Sequence, residues 1–379
     1  MDNTMDAVIF RGPFDVAVER RRKPKIREPT DAIVKVRVSG ICGSDLHAYR
    51  GHQKTEGGYI MGHEFVGTVE TVGDDVKLFT PGDNIVSIFS PCCMKCWYCL
   101  QGLTNRCTFG AAFGFAALDG GQAEYVRIPH ADGTLRHAPV GLDDRLLIMM
   151  ADIFPTGYYA ASRAIEALQM QKLSRLTSYA NQNQGGALHP PSVSESDLTN
   201  LTADSVLVCL GCGPVGICAI AAARSKGIKT IFAVDSVKDR LDEAKDLGAI
   251  PLQLGVEDIS ERVRAATNGR GADGVIELVG NQAALRSAFD VLRPAGVLSS
   301  VGFHQAELPF TGLECYLKGL TLSFGRVPVA TVFDAALKCL KENAEALKHY
   351  VTHEIRLSQA KEGYELFEQH KARKVILCI

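Results

Sequence analysis

Along roughly the first 150 residues, short β-branched runs alternate with polar, glycine- and proline-bearing breaks: "AIVKVRV", "FVGTVETV", "NIVSIF" and "AEYVRI". Runs of this kind, bounded by turn residues, predict strands, so this part reads as a mostly β domain. At Asp204 the pattern changes. "SVLVCLGCGPVG" is a short apolar run closing on a glycine turn, and the small-residue stretch "ICAIAAARSKG" after it predicts a helix. "TIFAVD", a charged helix within "VKDRLDEAKDLG", "IPLQL", "DGVIELVG", "QAALRSAFDVLRPAG", "VLSSVGF" and "LTLSFG" continue the series. Strand and helix alternate about six times, the pattern of an α/β doubly wound parallel sheet. From Val327 the pattern is helical until "KVILCI", an apolar run expected to return as a strand to the first domain. The expected division is therefore 1–153, 154–324 and 325–379, the last part belonging with the first. One stretch breaks the order. Leu168–Leu201 is polar, amide- and serine-rich, with a proline pair, and reads as a long surface excursion or partly disordered loop.

Composition narrows the class. A chain of 379 residues exceeds one compact core. At 46% hydrophobic and 22% charged, with mean hydropathy +0.03, it reads as globular and soluble. A net charge of −2 and a pI near 6.6 give no reason to expect nucleic acid or an anionic membrane as partner. The basic run Arg20–Lys25 is read as a solvated edge. No apolar run approaches the roughly 18–20 residues of a membrane span. The start, "MDNTMDAVIF", lacks the layout of a secretion signal, so a cytoplasmic setting is expected.

Twelve cysteines change the picture further, because four of them fall within fifteen residues. In "CCMKCWYCLQGLTNRC", Cys93, Cys96, Cys99 and Cys107 follow the order C-x2-C-x2-C-x7-C. Four thiolates so spaced can wrap one Zn2+ tetrahedrally and leave no corner for water, which makes a structural site. An iron–sulfur cluster uses similar spacings, but its usual Cys-Pro signature is missing here. Cys92 lies out of register and is read as a bystander. Cys209, Cys212, Cys218, Cys315, Cys339 and Cys378 sit in apolar segments and are read as small core residues.

Two other segments carry metal-binding groups. "GICGSDLH" supplies Cys42, Ser44, Asp45 and His47, and "GHEF" supplies His63 and Glu64. A thiolate and an imidazole are two of the three protein ligands of a catalytic zinc; the third must come from elsewhere. Asp152, in "MADIFPTGYYA", follows an apolar stretch and precedes a Pro-Thr-Gly turn, where an unpaired charge would be costly.

The segment "GCGPVG" supplies Gly211, Gly213, Pro214, Val215 and Gly216 between a predicted strand and helix, and "FAVD" ends downstream in Asp235. Together these make the full fingerprint of a dinucleotide-binding turn. The glycines let pyrophosphate approach free N–H groups at the helix N-terminus. Asp235 would hold the adenosine ribose hydroxyls and repel a 2′-phosphate, favouring NAD over NADP. Lys238 and Arg240 follow closely enough to soften that choice.

The Cys-Gly-x-Asp…Gly-His-Glu pattern, the cysteine comb and the glycine turn together resemble the zinc-dependent medium-chain alcohol dehydrogenases. The resemblance spans nearly the whole chain outside Leu168–Leu201. It implies a GroES-like catalytic domain carrying both zinc sites, plus a Rossmann NAD-binding domain. Many relatives use a second cysteine as third catalytic ligand; here Asp152 stands at that place, as in a branch resembling glutathione-independent formaldehyde dehydrogenases. The resemblance sets Glu64 behind the ion, with transient coordination during exchange, and Val301, Gly302 and Phe324 along the nicotinamide half. Asp45 would fix the His63 tautomer. Ser44 would accept the substrate proton and pass it, through the cofactor ribose, to His47. The remaining histidines carry no partner motif.

The implied reaction interconverts an alcohol and its aldehyde or ketone by hydride transfer, the partner being that small molecule. A homodimer or homotetramer formed edge-to-edge through the cofactor domain is expected. Two alternatives stand beside this reading: a formaldehyde-type dehydrogenase or dismutase that retains its NAD, and a non-catalytic NAD-binding sensor or scaffold.

Overall fold

The structure is a computed structural model and describes residues 3–183 and 201–379. The chain splits into two compact units, Met1–Pro155 with Pro328–Ile379, and Thr156–Val327. Among the described residues no helix is long and apolar enough to cross a membrane.

In the first unit, β1 (Thr4–Gly12) and β2 (Asp15–Arg22) form an antiparallel hairpin. The main sheet contains β3 (Ala32–Ile41), β4 (Phe65–Val72), β5 (Asn84–Ser87), β6 (Tyr125–Ile128) and β7 (Leu135–His137). Val34, Val36, Phe65, Val69, Ile85, Val126 and Ile128 from these strands are buried together with Phe113 and Leu135. Near the chain end, β14 (His353–Arg356) and β15 (Val375–Cys378) complete the sheet, giving the order β14-β15-β3-β4-β5-β7 with β6 beside β3. β15 runs antiparallel to β3, pairing Val375 with Ile41. That register sets Lys374, the residue before β15, against the start of the Cys42 segment.

The second unit holds six parallel strands: β8 (Val206–Leu210), β9 (Thr230–Asp235), β10 (Ile250–Gln253), β11 (Ala272–Glu277), β12 (Leu292–Ser300) and β13 (Thr321–Phe324). β8 and β11 are buried at every residue, as expected of strands covered on both faces. The order β10-β9-β8-β11-β12-β13 reverses direction between β8 and β11. This is the Rossmann order, and its switch point lies where the strand series turns back.

One sequence expectation is corrected here. Residues 168–183 are helical, the continuation of a helix spanning Ile153–Asn183. Ala160, Ala161, Ala164, Ile165 and Leu168 are buried at helical spacing. Beyond Leu168 the Gln, Lys, Arg and Leu residues have good helix propensity, which the polar composition of the stretch concealed. The rest of the excursion, 184–200, lies outside the described residues. The same helix replaces the expected Pro-Thr-Gly turn. Pro155 is its third residue, where a backbone N–H has no intrahelical acceptor and a proline costs little. A Cβ on Gly157 would come within 2.6 Å of Ala219 N and Val215 O, so glycine permits a close crossing with the helix Pro214–Ser225.

Candidate active site

Cys42 follows β3, His63 and Glu64 lead into β4, and Asp152 immediately precedes the helix that starts at Ile153. One ligand atom from each of these four residues lies within 4.8 Å of the other three. Asp152 Oδ2 is 3.4 Å from His63 Nε2 and 3.7 Å from Cys42 Sγ. Ligands held tetrahedrally about 2.0–2.3 Å from zinc are about 3.3–3.8 Å apart, so these spacings fit that ion.

The imidazole is oriented from behind. Its Nδ1 lies 3.1 Å from Asp45 Oδ1, off the line of an ideal hydrogen bond, which leaves Nε2 facing Asp152 and the Ser44 hydroxyl at 3.1 Å. Asp45 is itself held, its Oδ2 accepting the Cys42 N–H at 2.9 Å. Burial alone would depress the basicity of His63, but Asp45 and then Cys42 outweigh it and raise its pKa well above 6.5. The pocket therefore favours a positive charge where the candidate ligands converge. Backbone geometry permits this approach: Gly62 has φ +90°, and a Cβ there would come 2.4 Å from the Gln122 side chain.

Ser44 immediately precedes the short helix Asp45–Tyr49, which carries His47. His47 is half-buried; burial first, then His52 and Arg50, hold its pKa below the ordinary 6.5.

Cys93, Cys96, Cys99 and Cys107 form a second convergent set within 4.8 Å. Backbone N–H groups already point at the sulfurs, from Cys96 to Cys93 and from Cys93 to Cys107, both at 3.3 Å. Backbone donors from Cys99 and Thr108 draw Cys96 down to about 6, favouring the thiolate that binds metal. Cys92 stands outside this set. It is buried against Gly133 O at 3.1 Å, and burial pushes it up to about 12. Cys209, Cys212, Cys218 and Cys339 are buried, and Cys315 and Cys378 partly so.

In the second unit, Gly211–Gly216 joins β8 to the helix Pro214–Ser225, whose first residues are Pro214 and Val215. Gly211 has φ +92°, and a Cβ on Gly216 would sit 2.0 Å from Gly211 O, so the turn packs onto itself only with glycine there. At Gly213 a Cβ would meet nothing within 4 Å, which leaves an open cradle on the outer side of the turn. Asp235, at the end of β9, accepts the Cys212 N–H at 2.8 Å, and Arg240 Nη1 lies 3.6 Å from its carboxylate. Val301 and Gly302 follow β12, and Phe324 ends β13, so all lie at carboxyl ends of the parallel strands.

This architecture agrees with two family descriptions. Residues 28–138 match the alcohol dehydrogenase GroES-like domain, and residues 214–342 match the zinc-binding dehydrogenase domain. Zinc-type alcohol dehydrogenase B of Aspergillus flavus is 45% identical over 377 residues, covering 99% of this chain and 81% of that protein. The chain belongs to the zinc-dependent alcohol dehydrogenase family. A medium chain reductase/dehydrogenase of an Acremonium species is also 45% identical, over 82% of this chain and 98% of its own length. Among solved structures, an alcohol dehydrogenase from Thermus sp. ATN1 superposes with a TM-score of 0.84 at 34% identity, covering 99% of both chains. Membership in the zinc-dependent alcohol dehydrogenases makes the chain an oxidoreductase with a small-molecule substrate, and sets aside the scaffold reading.

Beside the Cys42, His63, Glu64 and Asp152 set lies a residue that sequence reasoning passed over. Lys374, taken as the start of an apolar strand, is fully buried and ion-paired with Glu64; its Nζ also donates to Ile41 O at 3.1 Å. Burial would lower the Lys374 pKa, but Glu64 and then Cys42 reverse that and raise it. Glu64 keeps its other oxygen, Oε1, buried without a hydrogen-bond partner. A Cβ on Gly40 would come 2.1 Å from Glu64 Oε2, so glycine makes room for the pair. The signal available beforehand was a lysine opening a wholly apolar run, since a buried ammonium needs a carboxylate.

Proposed function

We propose that the chain is an NAD-linked alcohol dehydrogenase with a catalytic zinc on Cys42, His63 and Asp152 and a structural zinc on Cys93, Cys96, Cys99 and Cys107. The observation that carries this reading is the convergence of Cys42, His63 and Asp152 at tetrahedral spacing, with Glu64 Oε1 unpaired beside them. Bound there, zinc supplies the Lewis acidity that makes an alcohol hydroxyl acidic near neutral pH, and NAD accepts the hydride.

The chain's own residues do the rest. Cys42, His63 and Asp152 supply two negative charges and one neutral nitrogen. Asp45 orients the imidazole and holds the Cys42 backbone. The Ser44 hydroxyl, next to His63 Nε2, receives the alcohol proton. His47, neutral at pH 7 because its pKa is held low, is the onward acceptor. Lys374 keeps Glu64 paired, so that its carboxylate stays behind the ligand set. In the second unit, Gly211, Gly213 and Gly216 open the turn to pyrophosphate. Asp235, with Arg240 beside it, receives the adenosine ribose.

An assay following NADH absorbance over an alcohol panel, with and without chelator, tests the proposal alongside metal analysis. About two zinc ions per chain and chelator-sensitive NADH production are expected; activity undiminished in zinc-free protein overturns it. The choice of Asp152 supports a second reading, a formaldehyde-type enzyme that keeps its cofactor through the cycle. NAD(H) co-purifying in stoichiometric amount would favour that reading.

We further infer a homodimer or homotetramer joined along β13. That strand ends the six-stranded sheet, and the nearby helix Gly312–Lys318 exposes Leu313, Tyr316 and Leu317. Light scattering checks it. The cysteines divide between metal clusters and core, which suits a reducing compartment such as the cytoplasm.

A further inference from the structure

We infer that His304, acting through Glu277 and Ser300, is a positioning residue that sets the two loops receiving the nicotinamide half of NAD, an inference resting on the dinucleotide reading above. Glu277 is the last residue of β11, and its side chain is wholly buried. Its Oε1 accepts the N–H groups of Val279 and Gly280, each at 2.8 Å. Its Oε2 accepts the Ser300 hydroxyl at 2.7 Å and faces His304 Nε2 at 2.9 Å. The Ser300 hydroxyl and His304 Nε2 are also 2.9 Å apart, so the three groups close a triangle. The main-chain carbonyl of Glu277 accepts the N–H groups of Val301 and Gly302. One residue thus ties the turn after β11 to the segment after β12.

The two loops also touch. A Cβ on Gly302 would come 2.5 Å from Gly280 N and 2.7 Å from Glu277 Oε2, so nothing larger than glycine fits between them. His304 makes the outermost contact, and its ring meets Phe324 edge-on at a centroid distance of 5.9 Å. Val301, Gly302 and Phe324 are therefore all connected to the Glu277–His304 pair.

This cluster lies at the carboxyl ends of β11, β12 and β13, the edge of a parallel sheet where ligands bind. Asp235 and the glycine turn lie at the carboxyl ends of β9 and β8. A dinucleotide held on the glycine turn, with its adenosine half toward Asp235, extends its other half over β11–β13. A buried carboxylate is costly unless its oxygens are hydrogen-bonded, and His304 Nε2, 2.9 Å from Oε2, stands where it can donate one such bond. Removing His304 loosens the two loops at that end and leaves the glycine turn intact. The residue acts by holding backbone and does not touch the reacting atoms.

Binding of NADH and of ADP-ribose to the full-length zinc-loaded protein, by fluorescence and calorimetry, separates the possibilities. ADP-ribose lacks the nicotinamide ring. For His304→Ala, NADH affinity and the NAD KM are expected to worsen by about tenfold, the size of one lost charge-assisted hydrogen bond. ADP-ribose affinity stays within about twofold of wild type and kcat at saturating NAD within about threefold. His304→Gln, which keeps an N–H donor, recovers most of the loss. If His304→Ala aggregates, Ser300→Ala removes one corner of the triangle but keeps the His304–Glu277 contact, and is expected to weaken NADH by a smaller factor, again sparing ADP-ribose. Equal loss of both ligands, or of neither, overturns the positioning role and leaves the NAD reading standing. Wild-type protein that binds neither ligand overturns both.

Discussion

Lys374→Met keeps most of the buried stem and removes the ammonium, with its charge and its hydrogen bonds to Glu64 and Ile41 O, so against the double variant below it measures what the ammonium does for Glu64. Both side chains have 0% exposure. Without Lys374 the Glu64 carboxyl loses the strongest influence that favours its ionised form, and burial drives it to fold protonated instead. The unfolded chain ionises it near its ordinary value of 4.5. Each pH unit above that value costs about 1.4 kcal/mol, so holding the proton at pH 7 costs at most about 3.4 kcal/mol. Burial already raises Glu64 with Lys374 present, so the difference from wild type lies below that ceiling. The sign follows from proton counting. The folded variant binds a proton that the unfolded chain has released, so its stability falls as pH rises above 4.5, and the penalty shrinks to under about 1 kcal/mol at pH 5. For a unit of roughly two hundred residues the pH 7 loss lowers Tm by at most about 10 °C. Thermal unfolding of chelator-treated protein retaining one zinc per chain is the assay, run at both pH values. The double variant Glu64→Gln, Lys374→Met carries no buried charge at either position and should recover most of the loss, with no such pH dependence. A penalty equal at pH 5 and pH 7, or a double variant no better than the single one, would refute the reasoning.

Asp152→Ala should lower bound zinc from about two to about one per chain and cut alcohol oxidation at least about a hundredfold, whereas Asp152→Cys restores a negative ligand and keeps zinc; metal analysis beside the NADH assay reads both. His47→Gln should slow alcohol oxidation at pH 7 by about tenfold or more. Because its pKa is held below 6.5, His47 protonates only under acid, so the wild-type rate should fall as pH drops below that value, and a pH–rate profile should show that limb missing in the variant. Gly62→Ala forces a side chain onto φ +90° with Gln122 2.4 Å from its Cβ, and chemical denaturation should register a loss of about 2 kcal/mol or more.

What could be read from the chain beforehand was the chemistry confined to short spans. The cysteine comb, the glycine turn with Asp235, and the Cys42 and His63 segments each declare themselves through spacing, because the groups they bring together lie close in sequence. Contacts made by strand register were not legible. Lys374 meets Glu64 across 310 positions because β15 lies on β3, and His304 meets Glu277 because β11 and β12 are neighbours. Neither pair has a spacing rule, so Lys374 passed as part of a strand and His304 as a histidine without a role. Leu168–Asn183 failed for another reason: a helix rich in amide and serine residues has the composition of a loop, and only the buried stripe ending at Leu168 distinguishes it.

With Asp152 as the proposed third zinc ligand, the charges of the site balance. Zn2+ with the Cys42 thiolate, neutral His63 and the Asp152 carboxylate sums to zero, as it would with two thiolates. Behind this set the Glu64–Lys374 pair sums to zero as well. Asp45 is left over, and it is held by the Cys42 N–H and set beside His63. Grouping buried charges so that most of them cancel lowers the large desolvation cost of net ions. It also leaves the alcohol proton as the charge that must leave when the substrate binds, which is the work assigned to Ser44 and His47. Asparagine at 152 would unbalance the first group by one charge while keeping its shape, and methionine at 374 would unbalance the second. Cysteine at 152 would disturb neither, so the identity of the third ligand matters less here than its charge.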